Sequence, residues 1–166
     1  GVVHSFIVGT TGSGKSRLLD ELLTIERHNG IISWVCDPQG GQSLPDWTEA
    51  VDWFAPTAED GYHQLLAAQR VVEERSARYA RLKWTDGKGR TRRGKPSYHP
   101  ADPDMDPLLS ITLEEAPALM KLPGAADIAA DIGKRGRKCG VKLRLVAQVP
   151  NLDELGGTRR KKEATD

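Results

Sequence analysis

Several features that mark whole classes of protein are scarce in this 166-residue chain, and each shortage removes an option. It has two cysteines, Cys36 in an apolar run and Cys139 in a basic one, with no C-x-x-C pair. That argues against a disulfide-rich scaffold and a thiolate zinc site; two buried or half-buried thiols of a reducing compartment are expected, with a single Cys36–Cys139 disulfide as the alternative. The four histidines, His4, His28, His63 and His99, are scattered without metal-ligand spacing. No run reaches the roughly 18 to 20 apolar residues that a membrane-spanning helix needs. No secretory leader is expected, since Gly1 leads straight into a strand-like run. A start at Gly1-Val2-Val3 without methionine is the expected look of a fragment, with any membrane anchor of its parent lying outside it. The expected location is cytoplasmic, at the inner face of the membrane in the parent protein.

What the chain does have is charge in blocks. The formal net charge is only +1, yet Arg81–Pro100 holds seven basic residues against Asp86 alone. Lys134–Arg144 holds six basic residues and no acid, whereas Ala101–Asp131 holds seven acids against Lys121. Arg159-Arg160-Lys161-Lys162 closes the series. Such blocks commonly form solvated faces or tails. Several basic ones on one domain also suit a polyanionic partner.

Apolar periodicity reads as strands alternating with helices. Val2–Val8 is a buried-strand run, and Leu18, Leu19, Leu22, Leu23 and Ile25 follow at helical spacing until Asn29-Gly30 supplies a C-cap turn. Ile31–Cys36 is a second strand run, and Val51–Phe54 a brief third. Thr57 caps a long helix, with Glu59 and Asp60 favourable in its first turn. Residues 85–107 read as a long loop, basic and then acidic. Leu108–Leu113 is a further apolar strand, Ala125–Arg135 a small-residue helix, and Val141–Val149 a last strand. This alternation predicts an α/β fold with a mostly parallel sheet covered on both faces. Ligands of such sheets bind at the carboxyl ends of the strands, where Gly9, Asp37, Glu114 and Gln148 all fall.

One motif carries most of the chemistry. Gly9-Thr10-Thr11-Gly12-Ser13-Gly14-Lys15-Ser16 is G-x-x-x-x-G-K-S between a strand and a helix, with Arg17 the next helical residue. Its glycines let backbone N–H groups turn toward phosphate oxygens, and the helix aims its positive end at the same anion. Lys15 supplies a point charge for the β- and γ-phosphates of ATP, and the Ser16 hydroxyl is a ligand for Mg2+. A chance match in a chain this long has odds on the order of 1%.

Glu114-Glu115 then tips an apolar strand, the Walker B pattern. The first acid holds the Mg2+ shell and the second polarises the attacking water. A helix start that favours acid is the plainer alternative. Gln148, closing the last strand, is a neutral donor suited to sensing a γ-phosphate or orienting water. Arg137, in Gly133–Gly140, is a candidate arginine finger for a neighbouring subunit, or else a solvated basic residue. Lys88, Arg90, Arg92, Arg93 and Lys95, between Trp84 and Tyr98, have the charge to neutralise DNA phosphates or simply to solvate a surface loop.

Together these residues resemble the FtsK/SpoIIIE/HerA group of DNA-pumping ATPases. The likeness runs over most of the chain: His4–Ser16, the strand end Val35-Cys36-Asp37-Pro38, Glu73-Glu74-Arg75 through Tyr79, and the acid-tipped strand. Its most specific stretch is Ile132–Leu143 leading to Ala147-Gln148-Val149-Pro150, and Asn151–Gly157 is most similar to actinobacterial TraB-like plasmid-transfer proteins. The resemblance implies a RecA-like P-loop NTPase, a three-layer α/β/α sandwich lacking its C-terminal part. The motor core spans 1–157 and a disordered basic tail 158–166. Also implied are a ring of six identical subunits, ATP and Mg2+, and double-stranded DNA as cargo in conjugative transfer or chromosome partitioning. Glu114 stands where the family has Asp, Lys142 where it often has His, and Val149 where it often has Arg. Two alternatives stay open: a type VII protein-secretion ATPase of the same superfamily, and a small-molecule phosphotransferase using the basic loop from Lys83 to Lys95 as a lid.

Overall fold

The computed structural model describes residues 2–149. Pro150, the Asn151–Gly157 stretch and the expected basic tail at 158–166 lie outside the described residues. The elements run β1 (Ser5–Gly9), α1 (Lys15–His28), β2 (Ile32–Cys36), a 3-10 turn (Pro45–Trp47), β3 (Trp53–Ala55) and α2 (Ala58–Arg81). Then follow β4 (Lys83–Thr85), β5 (Thr91–Arg93), β6 (Leu109–Leu113), α3 (Ala116–Leu119), α4 (Ala125–Cys139) and β7 (Val141–Gln148). Five strands form one parallel sheet in the order β1-β7-β6-β2-β3.

Alternation along the strands divides the core in two. Ile111, Leu113 and Leu143 join Leu65, Ala68, Val72 and Ile132 beneath α2 and α4. On the other face, Val35 and Val146 meet Leu19 and Leu23 of α1. Two apolar faces need two helical covers, which gives the three-layer α/β/α sandwich expected from the sequence. Among the described residues, no helix is long and apolar enough to cross a membrane.

The α1 face of the sheet also holds polar groups. Ser110 and Thr112 of β6, and Lys142 and Arg144 of β7, are the alternate residues facing α1. They surround the buried Glu26. Its carboxylate accepts bonds from Ser33 Oγ (3.0 Å), Ser110 Oγ (2.9 Å), Arg144 Nη2 (2.5 Å) and Lys142 Nζ (2.8 Å). Arg144 Nη1 donates to Thr112 Oγ1 at 2.9 Å. This network ties the helix that follows the glycine loop to three central strands.

Residues 85–107 are not a structureless loop. β4 and β5 pair antiparallel, with Trp84 opposite Arg92. Asp86 makes the turn by accepting from the N–H groups of Lys88 and Arg90 (2.9 and 3.0 Å), while Gly89 adopts φ +73°. Five of the six strand residues are exposed, so no apolar alternation announced the hairpin. The acidic half that follows is pinned to α2. Asp106 accepts from Tyr79 Oη (2.8 Å), lies 3.5 Å from Arg75 and pairs with Arg78.

Candidate nucleotide-binding site

Helix α1 begins with its positive end uncompensated. Its N-cap is Gly14 at φ 85°, with no side-chain cap and no acid in the first turn. Helix α2 is the counterexample: Thr57 Oγ1 accepts from the N–H of Asp60, and Glu59 and Asp60 fill its first turn. An α-helix leaves its first N–H groups unsatisfied, so α1 keeps for an anion what α2 spends on its own side chains. The loop before α1 turns through Gly12 at φ 76° and closes with Ser13 N–H donating to Thr10 O at 3.1 Å. A Cβ on Gly9 would collide with Ser13 Oγ and crowd Ser13 Cβ, so a side chain there would have to displace Ser13. Lys15 Nζ reaches back to Gly9 O and Thr10 O, both at 2.8 Å.

Arg17, next in the helix, turns outward. Its side chain is 86% exposed and lies 3.6 Å from Glu21. Gln148 pairs in register with Gly9, and its amide donates to Thr11 Oγ1 across the strand ends.

Acids gather opposite the loop. Asp37, fully buried at the end of β2, accepts from the N–H groups of Gln39 (3.0 Å) and Ser43 (2.9 Å). Glu114 continues the adjacent β6 and donates its N–H to Cys36 O at 2.9 Å. Burial pushes the Glu114 carboxyl above its usual range, Asp37 and Glu115 push it further, and Lys15 opposes them. Three carboxylates thus face one ammonium. Glu115 sits at φ 50°, the single positive-φ residue other than glycine among those described. Such backbone strain costs on the order of 1 to 3 kcal/mol and persists where surroundings over-determine it.

Mg2+ fits this set. Among the described residues no group of three or more His, Cys, Asp or Glu side chains could hold an ion unaided. Mg2+ is characteristically bound through one or two carboxylates plus substrate phosphates and waters, which Glu114, Ser16 and a bound triphosphate would provide.

The remaining nominated residues lie elsewhere. Arg137 is exposed in the last turn of α4, just before β7 starts. Gln148 ends that strand beside the loop, so Arg137 stands roughly 25 Å away at the opposite end of the sheet. This chain's own loop does not receive it. Its charge instead helps lower the pKa of His4, which burial depresses first. The hairpin cations also lie at that far end. Arg90 and Arg92 share Asp86 (3.1 and 3.0 Å) and Lys95 pairs with Asp102, whereas Lys88 and Arg93 have no ion pair among the described residues. A hairpin there cannot close over the glycine loop, which removes the phosphotransferase-lid reading. Cys36 and Cys139 are free and buried, with the Cys36 thiol pushed up to about 12 chiefly by burial.

One part of the site and one structural network carry little signal in the sequence. Asp37 sits at a strand end with nothing local to mark a role. The Glu26 network hides in the apolar run Leu108–Leu113; its signal is the alternation of Ser110 and Thr112 with Lys142 and Arg144.

No family model matches the chain. The curated DNA translocase SftA of Bacillus subtilis (strain 168) is 25% identical over 160 residues, covering 93% of this chain and 17% of that protein. The pCW3 conjugation coupling protein TcpA, solved with ATPγS, superimposes at TM-score 0.67 and 16% identity over 93% of this chain and 45% of that one. The fold is that of the TcpA coupling protein. The cytoplasmic domain of the Thermomonospora curvata type VII secretion ATPase EccC shares this fold at TM-score 0.60 and 18% identity, over 89% of this chain and 16% of that one. The chain therefore spans less than half the length of each of these relatives.

Proposed function

We propose that this chain is the ATP-binding and ATP-hydrolysing core of a motor that moves double-stranded DNA as a ring of six identical subunits. The observation that carries it is Lys15 and an uncapped helix facing Asp37, Glu114 and Glu115 across one strand edge. In this reading, backbone N–H groups from Gly9 to Arg17 and the Lys15 ammonium hold the phosphates. Ser16 and Glu114 hold Mg2+, which when bound neutralises charge on the β- and γ-phosphate oxygens. Glu115 orients the attacking water, and Gln148, already bonded to Thr11, senses the γ-phosphate. Arg137 serves the neighbouring subunit's site, and Lys88 and Arg93 are the hairpin cations free to meet DNA phosphates.

The parent protein's ATP hydrolysis should rise with duplex DNA and fall with added salt, with Lys15→Ala as the blank. Hydrolysis indifferent to duplex DNA at low salt would overturn the cargo assignment. Glu115→Gln should bind ATP but hydrolyse it at least about 100-fold more slowly; unchanged turnover removes its role. The likeness to EccC supports a second reading, with a secreted polypeptide as cargo. Stimulation by such a peptide, with no response to DNA, selects it.

A further inference from the structure

Of the three acids opposite the glycine loop, Asp37 is the one that neither ligates Mg2+ nor orients water in the ATP reading. Its place follows from strand parity. Val35 of β2 pairs in register with Thr112 of β6, and both lie on the α1 face of the sheet, Val35 against Leu19 and Leu23 and Thr112 against Arg144. Two residues on, alternation returns Asp37 and Glu114 to that face. The ladder continues this far: Asp37 N–H donates to Ala55 O at 3.0 Å and Glu114 N–H to Cys36 O at 2.9 Å. The two acids therefore stand abreast on neighbouring strands, whose spacing is about 4.8 Å. Helix α1 starts over the same face, with Lys15 and Ser16 in its first turn.

The Asp37 carboxylate is fully buried, and its partners are neutral. Gln39 N–H reaches Oδ1 at 3.0 Å and Ser43 N–H reaches Oδ2 at 2.9 Å, while no ion pair forms at it among the described residues. Glu26, also buried on this face, has two cations beside its hydroxyl donors. A carboxylate taken out of water needs opposite charge, and a second acid alongside adds repulsion. Asp37 is also fixed in aim. Both of its oxygens are tied to the 38–43 loop, whose buried Gly41 packs so closely that a Cβ there would meet Thr48 and Phe54. It cannot swing out to ligate an ion. What it can present to the site is a stationary negative charge behind Glu114.

We propose that Asp37 is a positioning residue of the Mg2+ site, touching neither ion nor nucleotide, whose fixed charge beside Glu114 strengthens the hold on Mg2+ when ATP is bound. The proposal rests on the ATP reading for the ion and adds to it the residue that makes binding depend on that ion.

The test is calorimetric ATP binding to Asp37→Asn, in Mg2+ and again in EDTA. The amide keeps the size and one acceptor and removes the charge. In Mg2+ the affinity should fall at least about tenfold. In EDTA the variant should bind ATP as tightly as the parent or up to severalfold more tightly, because one charge that repels the phosphates is gone. A side chain that only braced its loop would weaken both. Mn2+ titrated against the ATP-loaded protein by electron paramagnetic resonance reads the ion's affinity directly and should show the same loss. Thermal melts check folding, and Asp37→Ser, whose hydroxyl still accepts from a loop N–H, takes the place of an amide variant that does not fold. Equal loss in Mg2+ and EDTA, or no loss in Mg2+, overturns the proposal. The parent separates this failure from that of the ATP reading. If parent and variant share the same Mg2+ dependence, only the role of Asp37 falls; if the parent binds no ATP, or binds it equally with and without Mg2+, the ATP·Mg2+ reading falls and takes the proposal with it.

Discussion

Glu26 and Glu114 are both buried acids, 2% and 6% exposed, yet their surroundings have opposite sign. Around Glu26, burial alone would raise the carboxyl's pKa, but Arg144 and Lys142 outweigh it and the net direction is down. Around Glu114, burial is reinforced by the charges of Asp37 and Glu115 and opposed by Lys15 and by a hydrogen bond from the Glu115 backbone, and the direction is up. The first group gives its carboxylate partners within the chain: two cations and two hydroxyls. The second has an excess of negative charge that nothing among the described residues resolves. A structural cluster supplies its carboxylate's cations itself, whereas a site awaiting a cation does not.

The largest effect is expected where closure is broken. Glu26→Ala strands Arg144 and Lys142 in the core without a counter-charge, and removing one partner of a buried pair typically costs 3 to 5 kcal/mol. Thermal melting at neutral pH should fall accordingly, and a shift equal to that of an exposed Glu→Ala control would deny the network its role. The same interaction sets an acid limit. Because the folded pKa lies below the ordinary 4.5, its stabilisation is fully present above that value and disappears as pH falls through the folded value. The Glu26→Ala chain should show a correspondingly smaller stability loss over that acid range.

Next comes Lys15→Ala, which removes the ammonium facing the acids. ATP affinity by calorimetry should fall by about 100-fold or more, near 2.7 kcal/mol; affinity within a few-fold of the parent would place the triphosphate elsewhere. Glu114→Gln is smaller and changes sign with conditions. A raised folded pKa means that ionised Glu114 subtracts stability as pH rises through that value. Without Mg2+ at neutral pH, the glutamine variant should therefore gain on the order of 1 kcal/mol. With Mg2+ and ATP present it should lose more ligand-induced stabilisation than it gained. A variant less stable in both conditions would show that the crowded carboxylates are not an unfinished cation site.

Legibility in the sequence followed how local each signal was. The glycine loop needs only its own residues and the strand and helix beside it, so Gly9–Ser16 and their flanks could be read directly. Thr57 as a cap is equally local. The Glu26 network spans residues 26 to 144 and joins strands that are neighbours only after crossover, so its members look like scattered polar residues in apolar runs. Arg137, read as a finger for a neighbouring subunit, lies at the far end of the sheet from this chain's own loop because α4 runs antiparallel to the strands. The hairpin was hidden because its strands are too short and too exposed to need alternation.

Arg17 gives the smallest effect and the cleanest contrast with Glu26. It too is half of an ion pair on α1, but at 3.6 Å from Glu21 with both side chains mostly in water. Solvent screens such a pair, and spacing of i and i+4 on a helix is worth only about 0.3 to 0.5 kcal/mol. Arg17→Ala should therefore shift the melting temperature by no more than about 2 or 3 °C. Its backbone N–H stays in the first turn whatever the side chain, so ATP affinity should remain within about twofold if Arg17 serves the phosphates through the main chain alone. A tenfold loss would mean that the side chain swings from Glu21 to the nucleotide, making the exposed pair a reserve for the site.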